Sequence, residues 1–405
     1  MADFKIQRGV ATILVNTASI TITAGTEYTA PSALTAGFIR IVSSTQSGAT
    51  PAVAADASSR PGRSSCYISN PGNLLTSIIF TRADATATAT AMRVSWEIWE
   101  YIGTAGAANE FIVRAQNTET MADGVQTVAR VISGVVTAAD LVVFITGQAH
   151  NGVSSGNTWS SYLATSNYLS GSTSIELDRD HSANAFIGSW AAVEFTGSNW
   201  TVQRIAHTFV AVSTNETETL TDVGAVTRTM THPQLALSTN TGTGSLNSMV
   251  SWVNSTTQAT FFIPGATVNG RRAVLWVISN SQTDGTPMAV QQVSASRAAQ
   301  SASPDSWNDT ITAVADTTTT SFAGVTSYSD STTTSAHRGF ADINPSLTNT
   351  TTVGNWRGRH EPTTTYRYEV VEWPTVAAGG AAPRISYLAN APSAVSSLVN
   401  AGLAA

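Results

Sequence analysis

The sequence predicts an all-β chain of tandem antiparallel β-sandwiches, Ig-like or jelly-roll-like, followed by an extended C-terminal arm. Three observations predict it. Only 11% of residues are charged against 42% hydrophobic, where about 25% charged is ordinary. Ser, Thr, Ala and Gly replace the missing charge, and of these Thr strongly prefers half-buried strands. Apolar and hydroxyl residues alternate with the strand period of two, as in Ser19-Ile20-Thr21-Ile22-Thr23. Finally, a closing phrase recurs at domain spacing. Trp96-Glu97-Ile98-Trp99-Glu100-Tyr101 returns as Trp190-Ala191-Ala192-Val193-Glu194-Phe195 and as Tyr368-Glu369-Val370-Val371-Glu372-Trp373, with a degenerate copy at Leu275-Trp276-Val277-Ile278-Ser279-Asn280. First positions 96, 190, 275 and 368 lie 94, 85 and 93 residues apart, far longer than a solenoid rung.

An opening phrase advances in step with it. Lys5-Ile6-Gln7-Arg8 matches Phe111-Ile112-Val113-Arg114, Thr201-Val202-Gln203-Arg204 and Ala289-Val290-Gln291-Gln292. The two phrases divide the chain into β-sandwich units at 5–103, 109–197, 199–285 and 288–375, with a linker and C-terminal arm at 376–405.

In the first unit, Val10 to Val15 and Ser19 to Thr23 read as a hairpin, with Gly25 supplying the next turn. Phe38 to Val42 and Leu75 to Phe80 read as further strands, separated by a Ser/Gly/Pro-rich loop from Ser43 to Gly62. The second unit repeats this order with Ala129 to Ile132, Leu141 to Ile145, a polar loop from Gln148 to Ser160, and Ser174 to Leu177. Helical periodicity is scarce, its best candidate being Ala394 to Leu403 in the tail. Six to eight strands in about 90 residues without helical crossovers favour a sandwich, with a flattened barrel as the alternative.

In the closing strand, alternation puts Trp96, Ile98 and Glu100 on one face and Glu97, Trp99 and Tyr101 on the other. Both faces carry large apolar groups, so the second face is expected to be covered by a loop, the next unit or another subunit. Trp96, Trp99, Tyr101, Trp190, Phe195, Trp276, Tyr368 and Trp373 are therefore the candidate packing and interface residues, with a stacking platform for sugars as the competing reading. Arg8 with Glu100, and Arg114 with Glu194, are candidate ion pairs where first and last strands meet.

Net charge is −6 and Lys5 is the sole lysine, so no basic stripe exists to neutralise phosphates and nucleic acid is not an expected partner. No run of 18 apolar residues could span a bilayer, and the first 30 residues lack the features of a secretory signal. Synthesis in the cytoplasm is the expectation. Cys66 is alone and cannot form an intrachain disulfide.

The densest polar cluster, Glu176-Leu177-Asp178-Arg179-Asp180-His181, sets three carboxylates on one strand face. Hard oxygen ligands of this kind could bind calcium, but the glycine turn and final glutamate of an EF-hand loop are missing, and a solvated strand end paired through Arg179 is preferred. Glu97 and Glu100 point to opposite faces, against a glycosidase pair. The six histidines, His150, His181, His207, His232, His337 and His360, are scattered, and no nucleophile elbow, phosphate loop, dinucleotide fingerprint or metal-binding spacing is present. No catalytic residue, cofactor or metal is assigned and the chain reads as a non-enzyme. Ala377 to Pro383 forms a linker, and Arg384 to Ala405 has enough apolar groups to dock but too few to fold alone. Ordering on a neighbouring subunit is preferred over disorder or docking on its own chain.

The opening Ile6-Gln7-Arg8-Gly9-Val10-Ala11-Thr12-Ile13, closed ninety residues later by Val94-Ser95-Trp96-Glu97-Ile98-Trp99-Glu100-Tyr101, resembles the repeat unit of structural proteins of tailed bacteriophages. There a Gln-Arg-Gly-Thr-like start and a Trp-x-Val-x-Glu-Phe-like end bracket a virion-exposed sandwich. The likeness covers the first two units, the closing phrase of the fourth, and little of the third. It implies a non-enzymatic virion component: a head decoration, collar, tail or fibre protein. The implied partners are other capsid or tail proteins, further copies of itself, and a host-surface glycan or receptor. A bacterial surface adhesin or sugar-binding module is the alternative, and a capsule depolymerase the third reading.

Overall fold

The computed structural model describes residues 2–46, 65–82, 91–151, 163–180, 182, 185–210, 215–236, 249–263, 271–298, 305–329, 343–357 and 363–375. The linker and arm at 376–405, with the helix expected at Ala394 to Leu403, lie outside the described residues, as does most of both polar loops. Strand makes up 63% of the structure, and with no α-helix among the described residues each sheet must pack on another sheet. The fold is all-β and sandwich-like.

One strand order occurs four times. The first six strands are β1 (Phe4–Ile13), β2 (Ser19–Thr23), β3 (Gly37–Gln46), β4 (Cys66–Ile68), β5 (Ser77–Arg82) and β6 (Met92–Tyr101). The next are β7 (Ile112–Met121), β8 (Thr127–Val131), β9 (Leu141–Asn151), β10 (Thr165–Leu169), β11 (Ser174–Asp178) and β12 (Ala185–Glu194). Then come β13 (Trp200–Thr208), β14 (Asn215–Thr219), β15 (Thr229–Ala236), β16 (Val250–Ser255), β17 (Gln258–Phe262) and β18 (Arg272–Asn280). The last are β19 (Ala289–Arg297), β20 (Asp305–Thr310), β21 (Thr320–Ser329), β22 (Asn344–Asn349), β23 (Thr352–Arg357) and β24 (Thr364–Glu372). We call each set a module and its strands A to F.

Every module makes two three-stranded antiparallel sheets. The front sheet has F between A and C, as in β1-β6-β3, and the back sheet has E between B and D, as in β2-β5-β4. Two separate sheets make each module a sandwich rather than the barrel alternative. A single bridge from Cys66 to Gln148 joins the first back sheet to the second front sheet. The segment read as Val10 to Val15 overlaps the end of β1, which stops at Ile13, and the hairpin expected with Ser19 to Thr23 does not form, because β1 pairs with β6 and β2 with β5 in separate sheets; Leu75 belongs to the turn before β5.

Each sandwich fills its interior from alternate positions of its strands. Module 1 packs Ile13, Ile39, Phe80, Val94 and Trp96, module 3 Phe209, Phe261 and Leu275, and module 4 Phe322, Tyr366 and Tyr368. The opposite faces of the four front sheets meet in one shared centre. Its rings come from all four modules: Phe4, Trp99 and Tyr101, then Phe111 and Phe195, then Trp200, then Trp373. Phe4 and Trp373 have centroids 4.5 Å apart, Trp99 and Trp373 4.9 Å, and Phe195 and Trp200 5.1 Å.

The modules follow one another round this centre and close a ring. Thr118 Oγ1 of module 2 donates to Ile68 O on strand D of module 1 at 2.6 Å. Arg204 Nε of module 3 does the same to Ser166 O of module 2 at 2.9 Å, and Gln292 Nε2 of module 4 to Val253 O of module 3 at 3.3 Å. Module 1 in turn leans on module 4, where Arg8 Nη2 donates to Thr317 O at 2.8 Å and Ser95 Oγ to Asn344 Oδ1 at 2.7 Å. A bridge between Ala2 and Thr375 sits beside this last seam.

Candidate functional site

The closing phrase is strand F in all four modules, and its side chains divide by parity. Trp96, Trp190, Leu275 and Tyr368 start the phrase; Trp96, Leu275 and Tyr368 fill their own sandwiches, and Trp190 lies in the core that module 2 shares with the centre. Trp99, Tyr101, Phe195, Trp276 and Trp373 point to the shared centre. What covers the second apolar face is therefore the set of neighbouring modules. Trp96 and Trp190 are 3% and 2% exposed, so neither presents a face on which a sugar could stack.

The glutamate that ends the phrase is a clasp. Strand C in each module is preceded by a turn, and the amide five residues before its first residue needs an acceptor. Glu100 Oε1 accepts Ser32 N at 2.8 Å, Glu194 Oε1 accepts Val136 N at 2.9 Å, and Glu372 Oε2 accepts Ala315 N at 2.8 Å. In module 3 Ser279 stands in the glutamate's place, and the corresponding amide, Gly224 N, is held locally by Asp222 Oδ1 at 2.9 Å. The lost glutamate and the local aspartate are two solutions to one unsatisfied donor.

Of the two expected ion pairs, one forms. Arg114 Nε lies 2.5 Å from Glu194 Oε2. A β-bulge between Ala192 and Val193 skips Arg114 in the pairing and turns it towards Glu194. In module 1 the register is unbroken and puts Arg8 opposite Glu97, three residues from Glu100. Arg8 accordingly lies 4.0 Å from Glu97, and Glu100 lies 3.9 Å from Lys5.

The centre also holds a rung of polar groups. Strands C and F pair Arg40 with Glu97, Phe144 with Ala191, His232 with Trp276, and Ala323 with Glu369 at the same level of the four front sheets. Glu97 Oε1 accepts Phe322 N of module 4 at 3.0 Å, and Trp99 Nε1 donates to its other oxygen at 2.9 Å. Glu369 repeats the device one seam earlier, accepting Thr231 N at 2.7 Å and Thr231 Oγ1 at 2.8 Å. Arg40 Nη1 donates to Phe322 O at 3.1 Å while its guanidinium lies over the Trp99 ring.

Burial raises the carboxyl of Glu97, with Arg40 and Arg8 opposing, and raises Glu369 to about 7, with the Thr231 bonds, Arg367 and Arg40 opposing. Burial and the charge of Arg40 hold His232 down to about 3, so its Nε2 is free to accept Ile145 N at 3.2 Å.

The acidic strand end bonds across a seam. Asp178 Oδ2 lies 2.6 Å from Arg272 Nη1, and Asp180 Oδ1 accepts Arg272 Nε at 2.5 Å. Their partner is thus Arg272 of module 3 and not the adjacent Arg179. Arg179 is buried and donates to Val125 O and Ala122 O, both at 2.8 Å. Among the described residues no group of three or more His, Cys, Asp and Glu could hold a metal ion.

Arg179 belongs to a set of four buried arginines. Arg82, Arg179, Arg271 and Arg357, one per module, are 0 to 2% exposed. Arg82 donates to Thr17 O and Leu14 O at 2.7 and 2.8 Å, so it caps the A–B turn as Arg179 does. The signal was an arginine closing strand E in Phe80-Thr81-Arg82, Asp178-Arg179 and Trp356-Arg357. His207 lies between Glu216, 3.0 Å away, and Glu218, 2.8 Å away. The Cys66 thiol is buried and pushed up by that burial, which makes it a poor nucleophile.

No family model, curated protein or solved structure matches the chain. Its geometry is a closed ring of four sandwiches in which some buried polar side chains clasp turns within a module, as Glu194 does, and others, such as Glu97, Arg40 and Glu369, bond from one module to the next.

Proposed function

We propose that the chain is a non-enzymatic structural protein of a bacteriophage virion, a capsid decoration or collar or tail-associated component acting through sandwich packing and subunit contacts. One observation carries this reading. The aromatics on the second face of strand F, together with Glu97, Arg40 and Glu369, are spent on locking four sandwiches into one block. Such a block suits a part that must hold its shape, and the phrase resemblance, the scarcity of charge and the single cysteine support the same reading. A fibre or receptor-binding component belongs to the same class, while an adhesin could not use Trp96 or Trp190 for stacking, both being buried.

Mass spectrometry of purified particles, with electron microscopy after labelling the chain, tests the proposal. The expected result is the protein at fixed stoichiometry on head or tail. Absence from particles, or recovery from a cell envelope, would overturn it.

A further inference from the structure

The seam between modules 4 and 1 holds a small cavity, lined by Arg8, Val10, Val42, Ser95, Glu97 and Phe322 among others. It offers about 10 Å³ to the centre of a water-sized molecule, which is the room one water needs and too little for a larger ligand.

In its wall Arg8 and Glu97 face each other without bonding. Arg8 Nε lies 4.0 Å from Glu97 Oε1, where a direct charge-assisted bond needs about 2.7–2.9 Å. Neither group is free to close the gap. The guanidinium is tied to module 4, with Nη2 donating to Thr317 O at 2.8 Å and also to Thr320 O. The carboxylate is tied at both oxygens: Oε1 accepts Phe322 N at 3.0 Å and Oε2 accepts Trp99 Nε1 at 2.9 Å. Swinging either group across would break bonds it already makes.

Arg8 Nε is itself buried and has no acceptor among the described residues, and a buried donor on a charged group is costly to leave unmade. Glu97 is 1% exposed, and its Oε1 keeps acceptor capacity after taking the Phe322 amide. Two polar groups held more than about 3.5 Å apart are at the separation one water spans. With about 2.8 Å to each group, the angle at the water oxygen is about 90°, which both bonds tolerate. Ser95 Oγ stands in the same wall and donates to Asn344 Oδ1 at 2.7 Å, which leaves its lone pairs for the water's second proton.

We propose that this cavity binds one water molecule, which accepts from Arg8 Nε and donates to Glu97 Oε1 and Ser95 Oγ. The Arg8–Glu97 pair is then water-mediated, and the water completes the seam that no connector joins. Water suits the site where an ion does not, since an anion would meet Glu97 and a cation Arg8. The site belongs to the seam and stands apart from the virion reading.

A crystal structure of the full chain, at a resolution that shows ordered water, tests the site directly. The expected density peak lies roughly 2.7–3.2 Å from Arg8 Nε, Glu97 Oε1 and Ser95 Oγ. No peak there, or Arg8 Nε drawn into direct contact with Glu97, would overturn the proposal. In solution, water-oxygen relaxation dispersion counts the waters held inside the folded chain. Arg8→Met deletes Nε and should lower that count by one, and an unchanged count would equally sink the idea. The crystal reading uses the unsubstituted chain, so it decides even where Arg8→Met does not fold.

Discussion

Replacing Glu194 by alanine takes the acceptor from three donors at once. The side chain is fully buried, and its oxygens hold Val136 N at 2.9 Å, Thr137 N at 2.5 Å and Arg114 Nε at 2.5 Å. A buried donor left unsatisfied costs about 1–3 kcal/mol, and breaking a buried ion pair by removing one partner costs about 3–5 kcal/mol. The donors share one carboxylate and their losses overlap, so the expected cost is about 3–5 kcal/mol. Glu372→Ala removes one exposed bond, to Ala315 N, and should cost about 1 kcal/mol. Urea midpoints at fixed pH compare the two. Native-state hydrogen exchange reads the clasp itself: amides 136 and 137 should exchange roughly 10- to 100-fold faster in Glu194→Ala. Equal midpoint shifts for the two variants, or undiminished protection at 136 and 137, would refute the clasp as the device that fixes the turn.

Glu369, raised from 4.5 to about 7, keeps a proton in the folded chain over a range where the unfolded chain has released it. Stability should therefore fall by about 3 kcal/mol as pH rises from the unfolded to the folded value and level off above it. Glu369→Gln should flatten that limb in denaturation curves taken at stepped pH, and an unchanged limb counts against the assignment. His232 acts in the opposite direction: its folded value is lowered from 6.5 to about 3, so stability should fall as pH drops through that interval, and His232→Gln should reduce the loss. Gly9→Ala would bring a Cβ to 2.4 Å from Trp96 Cζ2 and should cost about 1–3 kcal/mol by overpacking, read as a lower Tm. Trp373→Ala empties the middle of the shared centre and should cost about 3–5 kcal/mol; a loss no larger than that of an exposed site would mean the four modules do not depend on it.

The fold class was readable because strand period and turn chemistry are local, and each module spells them out. The double apolar character of strand F was equally plain: Trp96 and Trp99 sit three apart and must face opposite ways. Their destinations were not, because periodicity says that a face is covered without saying by what. Arg8 shows a second limit. Its partner depends on register, and a one-residue bulge moves Arg114 to Glu194 while its counterpart in module 1 stays with Glu97. The buried arginines were missed for a different reason. An arginine is rarely buried without a partner, and for Arg82 and Arg179 the acceptors are turn carbonyls, which leave no mark in the sequence.

Three seams of the ring are backed by a short connector and one is not. The chain runs from module 1 to 2, 2 to 3 and 3 to 4, which holds those neighbours at high effective concentration. Module 4 must find module 1 without that help. Arg8, Arg40 and Glu97 all bond or pair at that junction, whereas the seam between modules 1 and 2 is made with Thr118, Ser189 and backbone groups. Apolar faces tolerate small misplacements, but a buried charge without its partner costs several kcal/mol. The charged groups at this seam thus penalise wrong dockings of module 4 far more steeply than an apolar contact would, although the chain-linked seams carry charge as well, at Arg272 with Asp178 and Asp180 and at Glu369 with Thr231.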